Sequence, residues 1–185
     1  RWGEVVSIFP ALGYDVIVMD YRTYGKSTGK LSKQALLDDA NRFYEHTMTM
    51  YSEKDIILYG RSIGSGIASY LASKHAPRQV ILESPFYSLE AIAKKRFPIL
   101  PISKLLRYNL NSYEYLQELS APISILHGDE DKVIPISSGR KLFESIPAPS
   151  KSFYKIPGGG HNDLDTFSEF HEALLMSLKA HDPVE

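Results

Sequence analysis

The chain has 185 residues, 21 Lys and Arg against 22 Asp and Glu, and a formal net charge of −1, long enough for one domain to bury about 70% of its unfolded surface. Hydrophobic residues at 43% and charged residues at 23% describe a globular chain, and near-zero charge without a basic block leaves no electrostatic footprint for nucleic acid. The absence of cysteine removes disulfide frameworks, thiolate zinc sites and a cysteine nucleophile, and no run of 18 apolar residues reads as a membrane-spanning helix.

Five short apolar runs rich in β-formers follow in chain order, at residues 15–19, 55–59, 79–82, 123–126 and 152–156. Unbroken runs such as Val16-Ile17-Val18-Met19 and Ile56-Ile57-Leu58 suit strands of a parallel sheet covered on both faces. Between them, Leu36, Ala40, Phe43, Thr47 and Met50 make one helical stripe, with Ser32 as N-cap, and Leu164, Phe167, Phe170, Leu174 and Leu178 make another. Strands alternating with helices predict an α/β fold with a mostly parallel, doubly wound sheet. The alternation breaks once, over about residues 85–121, where Pro98, Pro101, the triplet Lys94-Lys95-Arg96 and many aromatics predict a small cap over the sheet. The whole of 1–185 reads as a single domain.

Gly60-Arg61-Ser62-Ile63-Gly64 fits G-x-S-x-G, directly after the run 55–59 and before the small-residue helical segment 65–73. A serine on a tight strand-to-helix turn is pushed out of the sheet, and flanking glycines let the two backbones pass closely. The Ile63 amide at the helix start is placed to donate to an oxyanion. Ser62 is therefore the candidate nucleophile, and it needs a base. Of six histidines, His46, His171 and His181 lie on or beside amphipathic helices, His75 ends the helix after Ser62, and His127 closes a strand with a structural hydrogen bond as its simplest role. His161 follows Pro157-Gly158-Gly159-Gly160, a flexible loop that can carry it to the carboxyl edge of the sheet, where ligands bind in open α/β folds. The orienting acid belongs to the loop Asp129-Glu130-Asp131, with all three carboxylates eligible.

At these residues the chain resembles the α/β-hydrolase family, in particular the small subgroup of depalmitoylases and serine-aminopeptidase-like proteins. The resemblance is carried by Asp20-Tyr21-Arg22-Thr23-Tyr24-Gly25-Lys26-Ser27, by Gly60–Gly64, by His127-Gly128 with Asp131 and Val133-Ile134-Pro135, and by Gly160-His161-Asn162. It implies the α/β-hydrolase fold and the order serine, acid, histidine, which selects Asp131. Thr23 departs from the subgroup, which has glycine there. The family also places three strands before the one matching 15–19, one of them between that strand and the one matching 55–59. A His-Gly loop after the third supplies the second oxyanion donor. Residues 1–4 resemble the middle of the helix after that loop, so the sequence is expected to be part of a longer chain.

The resemblance implies a serine hydrolase that cleaves acyl esters or thioesters through Ser62, His161 and Asp131, with Ile63 in the oxyanion hole and no metal or other cofactor. A small-molecule or lipid acyl ester is the expected partner. Pro85, Phe86, Tyr87, Phe97, Leu100, Ile102 and Leu105 are candidates for an acyl pocket, with Tyr24 at the same edge. The basic triplet beside Phe97 offers contact with an anionic membrane, against the commoner role of a solvated charge run. The rivals are a peptidase or amidase, holding a substrate amine with Glu83 or Glu90, and a hydrolase-like scaffold that binds without turnover. Oligomeric state and compartment stay open.

Overall fold

The four apolar runs from residue 55 onward become strands because each finds a neighbour for its backbone hydrogen bonds. In the computed structural model, which describes residues 2–106, 108–148 and 150–179, β1 (Ile57–Arg61), β2 (Gln79–Glu83), β3 (Ile123–Gly128) and β4 (Lys151–Ile156) pair in parallel in the order β1-β2-β3-β4. Every residue of β2 and β3 is buried. That accounts for their unbroken apolar patterns.

Helices cover both faces. On one, Val5 and Phe9 of α1 (Trp2–Ala11) and Phe170, Leu174 and Leu178 of α8 (Ser168–Lys179) pack on Ile81, Leu126 and Ile156. On the other, Ala68 and Ala72 of α3 (Ile63–Ala72) and Leu142 of α7 (Ile136–Ser145) cover Val80, Leu82, Ile123 and Ile125. Each such fully buried aliphatic side chain contributes about 1.5–3 kcal/mol. Outside α3 lies α2 (Lys33–Met48), capped by Ser32, whose hydroxyl accepts from the Ala35 amide at 3.1 Å. Between β2 and β3 run α4 (Leu89–Arg96), α5 (Ile102–Leu105) and α6 (Ser112–Tyr115). Tyr87 and Tyr113 stack there at 4.3 Å between ring centres.

Two sequence expectations need correction. Residues 15–19 form no strand, and Ile17 and Val18 are about half exposed. No described strand lies at the free edge of β1, and a strand without a neighbour cannot satisfy its backbone. The stripe on α2 is Leu37, Ala40 and Tyr44, with Phe43 and Met50 exposed. The polar helix makes two adjacent apolar registers available, and packing against Ile67 and Leu71 of α3 selects between them. The expected stripe on α8 does pack inward, with Leu164 in a short turn before it. His181 lies outside the described residues.

Candidate functional site

β1 ends at Arg61 and α3 begins at Ile63, which leaves Ser62 alone to turn the chain, at φ 52° and ψ −119°. A non-glycine residue holds such a conformation only where its surroundings impose it. Here the Ser62 amide donates to the Glu83 carbonyl at 2.9 Å. Gly60 allows the sharp approach: a Cβ there would stand 2.6 Å from the Gly64 carbonyl oxygen and 2.7 Å from Ala68 Cβ. Ile63 opens α3, where the first amides lack intrahelical partners and the helix dipole is positive. Tyr21, from the loop before α2, brings its hydroxyl against Gly64, and burial pushes that phenol's pKa up.

At the end of β3, Asp131 is drawn inward by backbone donors. Its Oδ1 accepts from the amides of Val133 and Ile134 at 2.9 and 2.8 Å, and its side chain is fully buried. Burial alone would push the carboxyl up, but the nearby His127 imidazole and the hydrogen bonds from His161 and the Ile134 amide outweigh it and hold Asp131 well below the usual carboxylate range. His127 Nε2 donates to the Ile134 carbonyl at 2.8 Å and lies 3.6 Å from Asp131 Oδ2. It braces the acid loop. Asp129 turns the other way, accepting from the Gly158 amide at 2.7 Å and pairing with Lys155 at 3.2 Å. Of the three eligible carboxylates, Asp131 is the one bonded to His161.

The loop after β4 carries His161 back across the carboxyl edge of the sheet. Gly128 and Gly159 touch so closely that a Cβ on Gly128 would lie 2.1 Å from the Gly159 carbonyl oxygen. The Gly160 amide donates to Asp163 at 2.7 Å. His161 Nδ1 then lies 2.7 Å from Asp131 Oδ2, and Nε2 lies 2.9 Å from Ser62 Oγ. Such a chain can take a proton from the hydroxyl and stabilise the resulting imidazolium.

Sequence reasoning passed over Arg61, Tyr59, Asp163 and Glu83's partners. Arg61 is 9% and Glu83 1% exposed, with Nε to Oε1 at 3.0 Å. Alternation along β1 puts Tyr59 and Arg61 on one face, and a glutamate closing an otherwise apolar strand needs a buried partner; those two signals together could have found the cluster.

A depression of about 360 Å³ beside the imidazole is lined by Lys132, Val133, Gly160, His161, Asn162 and Asp163, with Glu130 and Gly158. None of the residues expected to form an acyl pocket lines it. Phe86 is 1% exposed, seated against Gly66 and Leu110 in the core. Tyr87 lies in a second hollow with Ile92, Lys95 and Lys141, and Tyr24, Phe97 and Leu100 are exposed. Glu90 pairs with Lys94 at 2.7 Å. The remaining described histidines are placed by structure: His75 bonds Asn41 at 2.7 Å and stacks on Tyr44, His171 bonds the Asp165 carbonyl at 2.8 Å, and His46 is exposed.

Comparison with known proteins agrees with this architecture. The family model described as serine aminopeptidase, S33 matches residues 1–113. An uncharacterized membrane protein of Saccharomyces cerevisiae is 34% identical over 167 residues, covering 86% of this chain and 59% of the relative. The lysophosphatidylserine lipase ABHD12 of Mus musculus is 30% identical over 172 residues, covering 81% and 42%. The chain thus spans about half the length of the curated relatives it matches. Among solved structures, the Pyrococcus furiosus esterase PF2001 superposes with a TM-score of 0.78 at 21% identity, over 96% of this chain and 74% of that one. A monoacylglycerol lipase of Paleococcus ferrophilus gives 0.71 at 18%, over 98% and 90%. Parallel sheet, strand–serine–helix turn and family match lead to one conclusion: the chain belongs to the serine aminopeptidase S33 family of the α/β-hydrolase superfamily.

Proposed function

We propose that this protein is a serine hydrolase of acyl esters or thioesters. The reading rests above all on the unbroken hydrogen-bond chain from Ser62 through His161 to Asp131. Ser62 Oγ attacks the acyl carbonyl carbon as its proton passes to His161 Nε2, and Asp131 holds the imidazole in the needed tautomer. The oxyanion accepts from the Ile63 amide. Collapse expels the alcohol or thiol with the proton from His161, and water repeats the sequence on the acyl-enzyme.

Neither glutamate expected to hold a peptide substrate's amine is free for it, although Glu130 and Asp163 line the depression beside His161. An aminopeptidase needs a free carboxylate for the substrate's amine, whereas Glu83 is enclosed by Arg61 and Tyr59, and Glu90 is paired with Lys94. A lipid acyl ester fits the outer surface of the 85–121 segment, which reads as a cap. Phe97, Ile99, Leu100 and Leu105 are all at least half exposed, beside Lys94, Lys95, Arg96 and Lys104. The names of ABHD12 and the monoacylglycerol lipase point to the same substrate class.

The test is a fluorophosphonate probe followed by mapping of the adduct, with acyl esters of increasing chain length run beside aminoacyl amides. Labelling is expected at Ser62 and absent from Ser62→Ala, with ester turnover exceeding amide turnover. Labelling of Ser62→Ala to the wild-type extent overturns the nucleophile assignment, and faster amide cleavage overturns the ester preference.

A further inference from the structure

Behind the turn that carries Ser62 lies a buried charged cluster that no step of the proposed reaction uses. Arg61 and Glu83 sit opposite each other across β1 and β2. Arg61 Nε lies 3.0 Å from Glu83 Oε1, and the Tyr59 hydroxyl donates to Glu83 Oε2. A buried ion pair adds little stability over an apolar pair of the same volume, so its presence points to some other role.

The guanidinium has a further edge, and that edge faces the histidine loop. Arg61 Nη2 donates to the His161 carbonyl at 3.1 Å and lies 3.4 Å from Asn162 Oδ1. In the sheet, β4 is three places from β1, so the loop after β4 must cross the carboxyl edge to bring His161 to Ser62. Gly158, Gly159 and Gly160 make that crossing possible but lend it little stiffness. The base of the loop is fastened by Asp129 to the Gly158 amide and by the Glu130 amide to the Gly159 carbonyl, and at the tip, beyond the ring's own bonds to Ser62 and Asp131, Arg61 holds the His161 backbone. A planar guanidinium suits the task, because one edge can be locked by a carboxylate while the other donates at a set angle. Glu83 serves both partners: its side chain braces Arg61, and its carbonyl accepts the Ser62 amide at 2.9 Å.

We infer that Arg61, braced by Glu83 and Tyr59, is a positioning residue that holds the His161 loop in register with Ser62. The inference rests on the hydrolase reading of the Ser62–His161–Asp131 chain. A shift of about 1 Å in a reacting group costs on the order of a hundredfold in rate, so loosening this tether is expected to act on turnover.

The experiment uses the full-length protein. An Arg61→Gln/Glu83→Gln double variant removes both charges and leaves neither buried alone. With a soluble short-chain ester, kcat is expected to fall about ten- to a hundredfold with KM within about twofold. Fluorophosphonate should still label the wild-type fraction of molecules, but at a rate lowered by the same factor. In a His161→Ala background the same two substitutions should change the rate less than about twofold, because Arg61 acts through His161. An equal fractional loss in both backgrounds, a smaller labelled fraction reacting at normal rate, or no loss at all overturns the inference.

If the double variant does not fold, Arg61→Lys keeps a charge opposite Glu83 without the second donating edge, and the same outcomes decide. One readout is independent of turnover: the proton on His161 Nδ1 facing Asp131, followed by NMR. It is expected as a low-field resonance that is lost or broadened in both Arg61 variants and retained in Ser62→Ala. A resonance unmoved by the Arg61 variants overturns the tether. A wild-type protein without label or turnover, whose resonance still responds, overturns the hydrolase reading and leaves the tether standing.

Discussion

Thr23 stands at φ 69° in an exposed turn, a conformation that favours glycine. Left-handed backbone costs a side-chain-bearing residue about 1–2 kcal/mol, and a β-branched residue suits it least. The turn persists because its flanks are fastened: Arg22 grips Asp39 of α2, with Nη2 to Oδ1 at 2.7 Å, and Ser27 Oγ donates to the Asp20 carbonyl at 3.1 Å. Thr23→Gly is therefore expected to stabilise the protein by about 0.5–1 kcal/mol, the relief of strain less the greater freedom of glycine in the unfolded chain. A urea titration checks it; an unchanged or lowered midpoint contradicts the strain. Ser62 carries a comparable strain at φ 52°, but there glycine would also remove the hydroxyl.

At the scale of elements, the strand–turn–helix unit from β1 to α3 was legible because strand pattern, G-x-S-x-G and small-residue helix agree on one geometry. The α4–α5 stretch was not. Its aromatics and aliphatics read as pocket lining, yet no residue of α4 is buried and Ile99 is 95% exposed. Apolar character alone cannot distinguish a side chain that lines a hollow from one that faces outward. Ile99, with Lys94, Lys95 and Arg96 nearby in sequence, suits the edge of an anionic lipid surface, where apolar anchors and basic charge act together. Ile99→Asp is expected to lower turnover of an ester embedded in anionic vesicles about tenfold or more and leave a soluble short-chain ester within about twofold, as a lost interfacial contact predicts. Assay of the two substrates side by side decides; equal losses on both contradict a surface role.

For the whole molecule, the depressed Asp131 links the site to acid stability. A carboxyl whose folded pKa lies below its unfolded one contributes stability that is present above about pH 4 and lost as pH falls through the folded value. Wild type should accordingly lose stability on acidification below pH 4, and the destabilisation caused by Asp131→Asn should be largest near pH 7 and shrink toward pH 2. Denaturant melts across that range check the sign, and a gap that widens in acid contradicts it. The residues alone established the α/β alternation, the four strands from residue 55 onward, the turn at Ser62 and the approach of a glycine-rich loop bearing His161, because each depends on local spacing and backbone freedom. Tertiary structure decided which of Asp129, Glu130 and Asp131 bonds the imidazole, which register of α2 is buried, and that residues 15–19 form no strand. Those outcomes turn on partners distant in sequence: the amides of Val133 and Ile134 that draw Asp131 inward, the side chains of α3, and a neighbour at the edge of β1. The Arg61–Glu83 brace belongs to the same class. Its two charges are 22 residues apart in the chain and acquire a purpose only when pairing of β1 with β2 sets them face to face, beneath a loop from the far side of the sheet.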